Sequence, residues 1–498
     1  MRIHLSPRDI KLGYKAVKHL ACESYRKGRI EDALTYVRHC TVIAQQFNWI
    51  YADDELEDLL SAIGESVLQK NENSFGVVPG RIVFYDDFCT SFVLALQYMR
   101  ALVADGKEIL YITSRDIKGK SQFANIIDEV SQYRNVTVYI VPQGEIAYRI
   151  RDIYQSIMAF KPEKVLLHMT AFSLAIPALY HLPSVVDRYI INLADQTFWL
   201  GKKAIDYSLE FRPFGASVSI QKRGLKKEQL LMVPFYPICD DNPFEGFPGQ
   251  CSREKVIIFS GGDLYKVVDS EGMYWKLVKT ILDRYPQVVF LFATKVSRQG
   301  AEIIDGFITE NHFQDRFIYI NYRKDINEVF KHCDIYMGTC PASGSLMSQL
   351  AAVNGKPILQ FYYPGTPDDE TEQAICINKS FSISFSDEDK FLTEADRLIK
   401  RIDYRKSQGE KLRKAMMNET IFNDLVSKSL SERKAQMPIK EMIIDFALLD
   451  TRWMSLEKEG YTDMLPYVYG LLGKSTCLRK AFPIFFKKQL RRLFKSEV

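Results

Sequence analysis

Residues 334–364 read DIYMGTCPASGSLMSQLAAVNGKPILQFYYP, and the fold turns on this stretch. It opens with a short apolar strand over 334–338. A loop of small residues follows: Thr339, Pro341, Ala342, Ser343, Gly344 and Ser345. The spacing of Leu346, Leu350, Ala351 and Val353 predicts a helix, stopped by Asn354-Gly355, and a second apolar strand runs over 357–362. Strand, helix and strand in that order form a βαβ unit with a tight, hydroxyl-rich turn at the helix start. Free N–H groups and the positive end of the helix dipole at such a turn favour an anion, typically phosphate. Every βαβ unit needs a turn, so the structural use and the ligand use start level. Parallel sheets do bind their ligands at these turns.

The same rhythm extends both ways. Strands are expected at 255–262, 287–295, 316–322, 334–339 and 357–363, separated by helices such as YWKLVKTILDRY and INEVFKHC. Upstream, from Gly80, they are expected at 81–87, 108–114, 136–142, 164–169, 188–194 and 216–220, the last reading ASVSI. Near-continuous apolar strands joined by amphipathic helices indicate parallel sheets covered on both faces. Residues 236–254 are rich in Pro, Gly and Asp, lose all periodicity and read as a linker. The fold class is therefore α/β, with two tandem doubly wound Rossmann-like domains (79–235 and 255–437) preceded by a small all-α region. One segment competes with this reading: residues 165–186 lack Asp, Glu, Lys and Arg and are long enough for a membrane span. His168, Pro177, His181 and Pro183 within it favour a buried strand plus helix.

Residues 1–78 read as helices. Ala21, Tyr25, Gly28, Ala33 and Ala44 fall near the positions of a tetratricopeptide helix pair. One pair cannot bury its own apolar face, so a cap packed on the next domain is expected. At the other end, residues 438–498 form a helical extension with a distinctive tail. Phe482, Phe486, Leu490, Leu493 and Phe494 share one helical face, and Lys487, Lys488, Arg491, Arg492 and Lys495 another. A basic amphipathic helix over 478–498 suits an anionic membrane surface. From residue 471 onward eight Lys/Arg face Glu497, so the tail carries +7 of a total of +4 and the rest is net −3. A general nucleic-acid-binding surface is therefore not indicated. Nine scattered cysteines without a CxxC pair, and seven histidines without HxxxH, point to a reduced compartment and no structural metal. MRIHLSPRDIKLGYKAVKH has no apolar core of a signal peptide. A cytoplasmic protein, peripheral on the inner membrane face, is expected.

Four loops of the second domain converge where its strands end. Gly261-Gly262 closes the first strand, Lys295 follows the second, Arg323 the third, and the 339–345 turn the fourth. Together they suit a nucleoside diphosphate. After the last major strand comes YYPGTPDDETEQAICI, whose acidic and amide groups suit sugar hydroxyls. The tandem halves, the GG loop and the run TCPASGS…NGKPI…EQA resemble the GT-B glycosyltransferases, over residues 80–430 and most clearly over 339–374. The resemblance implies a nucleotide-sugar donor held by the second domain and a glycan or lipid-linked acceptor held by the first, with no cofactor. It puts Ser343, Gly344 and Ser345 on the diphosphate, beside Thr339, and Glu372 and Gln373 on the sugar. It departs from the family at Pro341, where many members have His, and at Leu350, where a ribose-binding carboxylate often stands. An inverting transfer needs a general base from the first domain. Asp195 is the first candidate and Asp87 the second, with Asp86 and His168 also at strand ends. No DxD occurs at a strand end. A nucleotide-sugar 2-epimerase of the same fold, and a non-catalytic partner-binding subunit, are the alternative readings; His312 and His332 suit the epimerase poorly.

Overall fold

Alternation of strand and helix delivers two all-parallel sheets. The computed structural model describes residues 7–455 apart from 69–74, 90–93, 115–125, 170, 253, 270, 296–297, 322, 365–369, 374 and 376–381. In the first domain β1 (Arg81–Asp86), β2 (Glu108–Thr113), β3 (Val136–Ile140), β4 (Lys164–His168), β5 (Asp187–Ile191), β6 (Tyr207–Glu210) and β7 (Leu230–Met232) lie in the order β3-β2-β1-β4-β5-β6-β7. In the second, β8 (Val256–Gly261), β9 (Val288–Ala293), β10 (Phe317–Ile320), β11 (Ile335–Met337), β12 (Ile358–Phe361) and β13 (Ser384–Phe385) lie in the order β10-β9-β8-β11-β12-β13. The order reverses between β1 and β4 and again between β8 and β11. Crevices open at the carboxyl ends of strands at such switch points.

The ASVSI segment is not a strand. Residues Pro213–Gln221 form a helix, with Pro213 at its first turn. Its Phe214, Ala216, Ser217, Val218 and Ser219 are all buried, so no polar stripe marks it as helical. The serines are tolerated inside because Ser217 donates to the Pro213 carbonyl at 2.8 Å and Ser219 to Glu210 at 2.7 Å. Of the true sixth and seventh strands, β6 is short and mixed and β7 is apolar but only three residues long.

Residues 165–186 resolve into β4 and the short helix Ile176–Leu179 among buried neighbours. Among the described residues no helix is long and apolar enough to cross a membrane. The helices Pro7–Arg26, Ile30–Phe47 and Asp54–Val67 share a core with helix Ile146–Phe160 and with Ile176, Ala178 and Leu179. The approach is close: a Cβ on Gly64 would stand 2.4 Å from the Pro177 carbonyl oxygen. Buried Glu57 accepts from the Tyr180 hydroxyl and from the Gly201 N–H at 2.7 Å, which ties the helical region to the α/β domain. Burial, the largest influence on it, raises the Glu57 pKa.

Helix Glu419–Glu432 crosses back to the first domain. Phe422 meets Tyr98 and Tyr236 edge to face at 5.1 and 5.4 Å, and Arg433 pairs with Asp187 at 2.8 Å. Phe446 and Leu449 then pack with Tyr51 of the helical region and with Phe214 and Val218 of the first domain. The basic amphipathic segment 478–498 lies outside the described residues.

Candidate functional site

The second sheet builds its site from two loops. At the end of β8, Gly261 is hemmed in: a Cβ there would stand 3.0 Å from the Ala293 carbonyl oxygen and 3.3 Å from Met347 Cε. Gly262 has φ +153°, and the 3-10 turn Leu264–Lys266 follows. The Ala342 N–H donates to the Lys266 carbonyl at 3.3 Å, which pins this turn to the 339–345 loop. The Lys266 side chain then crosses Gly262 and ends at Gly344, where a Cβ would lie 3.5 Å from its Nζ. Gly344 is the residue before helix Ser345–Val353 and, having no side chain, caps none of the first N–H groups. An ammonium and an uncapped helix start therefore share one spot, with Ser343 and Ser345 half-buried beside it. Two neighbours hold the arrangement. The Tyr363 hydroxyl donates to Asp269, which also accepts the Gly272 N–H at 2.7 Å. Thr339 is buried and donates to the Ala342 carbonyl at 2.6 Å, so it shapes the turn from within.

Lys266 escaped the sequence reading. Its one signal is a basic residue four positions beyond Gly262, and a lysine in a loop is commonplace. Lys295 stands exposed just past the end of β9, as expected from its place in the chain.

Three other expected donor contacts are spent elsewhere. Arg323 forms a bidentate pair with Asp325 at 2.7 and 2.6 Å, donates to the Gly246 carbonyl at 2.8 Å and lies over Phe244. Its hydrogen bonds hold the Asp325 carboxyl below the usual carboxylate range. Arg323 thus clamps the linker to the second domain. Nearby His332 stacks on Phe244 at 3.9 Å, so it too belongs to that clamp. Glu372 is buried and one of its oxygens accepts from Ser382 Oγ at 2.8 Å, the Ile383 N–H at 2.6 Å and the Ser384 N–H at 3.0 Å. It anchors β13 rather than meeting a sugar. Glu372→Ala is expected to cost about 3 kcal/mol, because two buried N–H groups lose their acceptor; Glu372→Gln should recover part of it in urea unfolding. Gln373 accepts the Phe214 N–H at 2.8 Å and so joins the two domains at the start of helix Pro213–Gln221.

On the facing domain, Asp195 is fully buried with both oxygens on Arg212, at 2.6 and 2.9 Å. A carboxylate paired on both oxygens and closed off from solvent presents no oxygen to a substrate, so the expected base is a structural ion pair. Asp86 and His168 end the paired strands β1 and β4 and bond to each other at 2.8 Å. Asp86 also accepts from Tyr111 at 2.6 Å and from the Phe88 and Cys89 N–H groups at 2.9 and 3.1 Å. Burial works against its charge, but His168 and these donors outweigh burial and leave its pKa lowered. Asp86 therefore sets the loop after β1. Asp87, next along, is only partly buried; it accepts from Ser114 Oγ at 3.3 Å beyond the end of β2.

Solved structures share this architecture. The HepE protein of Anabaena, in complex with UDP and glucose, is 12% identical over 71% of this chain and 99% of its own, with TM-score 0.50. The O-GlcNAc transferase of Thermobaculum terrenum is 12% identical over 85% of this chain and 84% of its own, with TM-score 0.54. A glycosyltransferase from Rickettsia africae is 12% identical over 71% and 97%, with TM-score 0.51. The two-sheet fold is the GT-B fold of these proteins. No protein-family model and no curated protein matches the chain.

Proposed function

We propose that this chain is a glycosyltransferase that takes its sugar from a nucleoside diphosphate and passes it to a hydroxyl of a cell-envelope or lipid-linked glycan. The observation that carries the reading is the Lys266 ammonium beside Gly344 at the uncapped start of helix Ser345–Val353. As the sugar leaves, negative charge grows on the diphosphate. Fixed N–H groups, a helix dipole and an ammonium already in place stabilise that charge without reorganisation. Ser343 and Ser345 supply further donors, and Lys295 stands at the rim. Across the cleft Asp87 accepts the proton of the attacking hydroxyl, a role its partial exposure allows and the pairing of Asp195 denies.

The test is incubation of the purified protein with a panel of nucleotide sugars, following release of nucleoside diphosphate. Slow hydrolysis of at least one donor is expected; no binding and no hydrolysis of any would sink the proposal. The pattern of residues 478–498 adds a membrane-borne acceptor to the reading. Deleting them should release the protein from liposomes containing anionic lipid, and a truncated chain that still sediments would contradict this.

A further inference from the structure

Most buried or half-buried guanidinium groups of this chain face a carboxylate: Arg100 meets Glu129, Arg188 Asp206, Arg212 Asp195, Arg323 Asp325 and Arg405 Asp334. Arg149 does not. It sits in the first turn of helix Ile146–Phe160, beside the carboxyl end of β2, and is half-buried. Nη2 donates to the Ser114 carbonyl at 2.7 Å. Nε is buried and has no partner among the described residues. A half-buried guanidinium with one arm fixed, a buried Nε without a hydrogen bond and no carboxylate paired to it among the described residues is short of partners.

Its surroundings belong to the acceptor side of the cleft. The same Ser114 that receives Arg149 through its carbonyl donates through Oγ to Asp87 at 3.3 Å. Burial pushes the Tyr85 phenol well above its ordinary value and Asp87 adds to the push, while Ser114, Ser173 and Arg149 act against it. Four groups therefore act on the Tyr85 hydroxyl, near the ends of β1 and β2. Among the described residues no carboxylate pairs directly with Arg149, and Asp87 is linked to it only through Ser114.

We infer that Arg149 is an acceptor-anion site: the acceptor carries a phosphate or carboxylate group close to the hydroxyl that Asp87 deprotonates. This rests on the glycosyltransferase reading and narrows it. A guanidinium offers two parallel N–H donors to either anion, and anchoring by Ser114 fixes the plane in advance. Asp87 alone would repel such an acceptor; Arg149 one strand away offsets the repulsion and sets which hydroxyl reaches the base.

The test uses the full chain with glucose 6-phosphate, glucuronate and glucose as probes, with dissociation constants from ligand-observed NMR. Wild type should bind one of the anionic sugars about tenfold or more tighter than glucose, as a charge-assisted pair requires. The stronger of the two identifies phosphate or carboxylate as the natural group. Arg149→Gln should erase the preference and leave glucose unchanged, and Arg149→Lys, the fallback if glutamine unfolds the domain, should keep part of it. Lys266→Ala should leave the preference intact, since that lysine serves the donor. Equal binding of all three sugars by wild type overturns the inference. So does a preference that survives Arg149→Gln or vanishes only in Lys266→Ala. Donor hydrolysis measured on the same samples separates the two claims: its absence with the Arg149-dependent preference intact removes the donor reading and leaves the anion site standing.

Discussion

Replacing Lys266 by alanine is expected to slow nucleotide-sugar turnover by about 10²–10³-fold, the usual loss when one preorganised donor to a developing anion is removed. The Lys266 ammonium approaches Gly344, and its main chain is bonded to Ala342, so both ends of the residue are committed to the 339–345 turn. The helix dipole alone supplies only about half a charge at its start, against a leaving diphosphate. Lys266→Arg should recover part of the rate, because it keeps the charge but brings a bulkier, planar head to a place where Gly262 and Gly344 leave room for a slim chain. Steady-state kinetics with the best donor of the panel decides it. A Lys266→Ala enzyme with wild-type turnover would show that the diphosphate is held elsewhere.

Arg212→Ala is expected to destabilise the first domain by about 3–5 kcal/mol, the range for stripping one partner from a buried ion pair. Asp195 is enclosed: a Cβ on Gly215 would stand 2.6 Å from its Oδ2, so no side chain and little water can replace the guanidinium. Arg212 also lies over the rings of Phe211 and Phe214, at 5.0 and 5.1 Å, and that contact goes with it. Arg223, which also feels the Asp195 charge, is committed to the Asp195 and Thr197 carbonyls at 2.8 and 2.6 Å. Urea unfolding measures the loss. Asp195→Asn should likewise lower stability, with turnover per folded molecule retained. A stable Asp195→Asn protein without turnover would restore Asp195 as the base.

The two-domain α/β fold was legible because its strands are apolar on both faces and its helices carry stripes. The rule fails for Pro213–Gln221, which is buried on several sides and reads as a strand, and for β6 and β7, which are short. Legibility of the site was poorer, for a chemical reason. The residue types that hold a ligand also hold a protein together, and sequence alone does not say which they do. Arg323 has an aspartate two positions on, Glu372 has free backbone N–H groups at β13, and Asp195 has Arg212; each found its partner inside the chain. Lys266 and Arg149 stand in no motif, and only the packing of loops against Gly344 and of Ser114 against the helix start brings them to the strand ends. The anion site proposed at the 339–345 turn has Lys266 of the GG loop beside it, whereas Arg323 is spent on Asp325.

Calorimetric titration with matched nucleoside mono- and diphosphates reads the proposed diphosphate site beside Lys266 without any need to know the acceptor. One nucleoside diphosphate should bind at least about tenfold tighter than its monophosphate, as one further charge-assisted phosphate contact implies, and Lys266→Ala should remove the difference. Equal affinity for the two, or a difference that persists without Lys266, would contradict it.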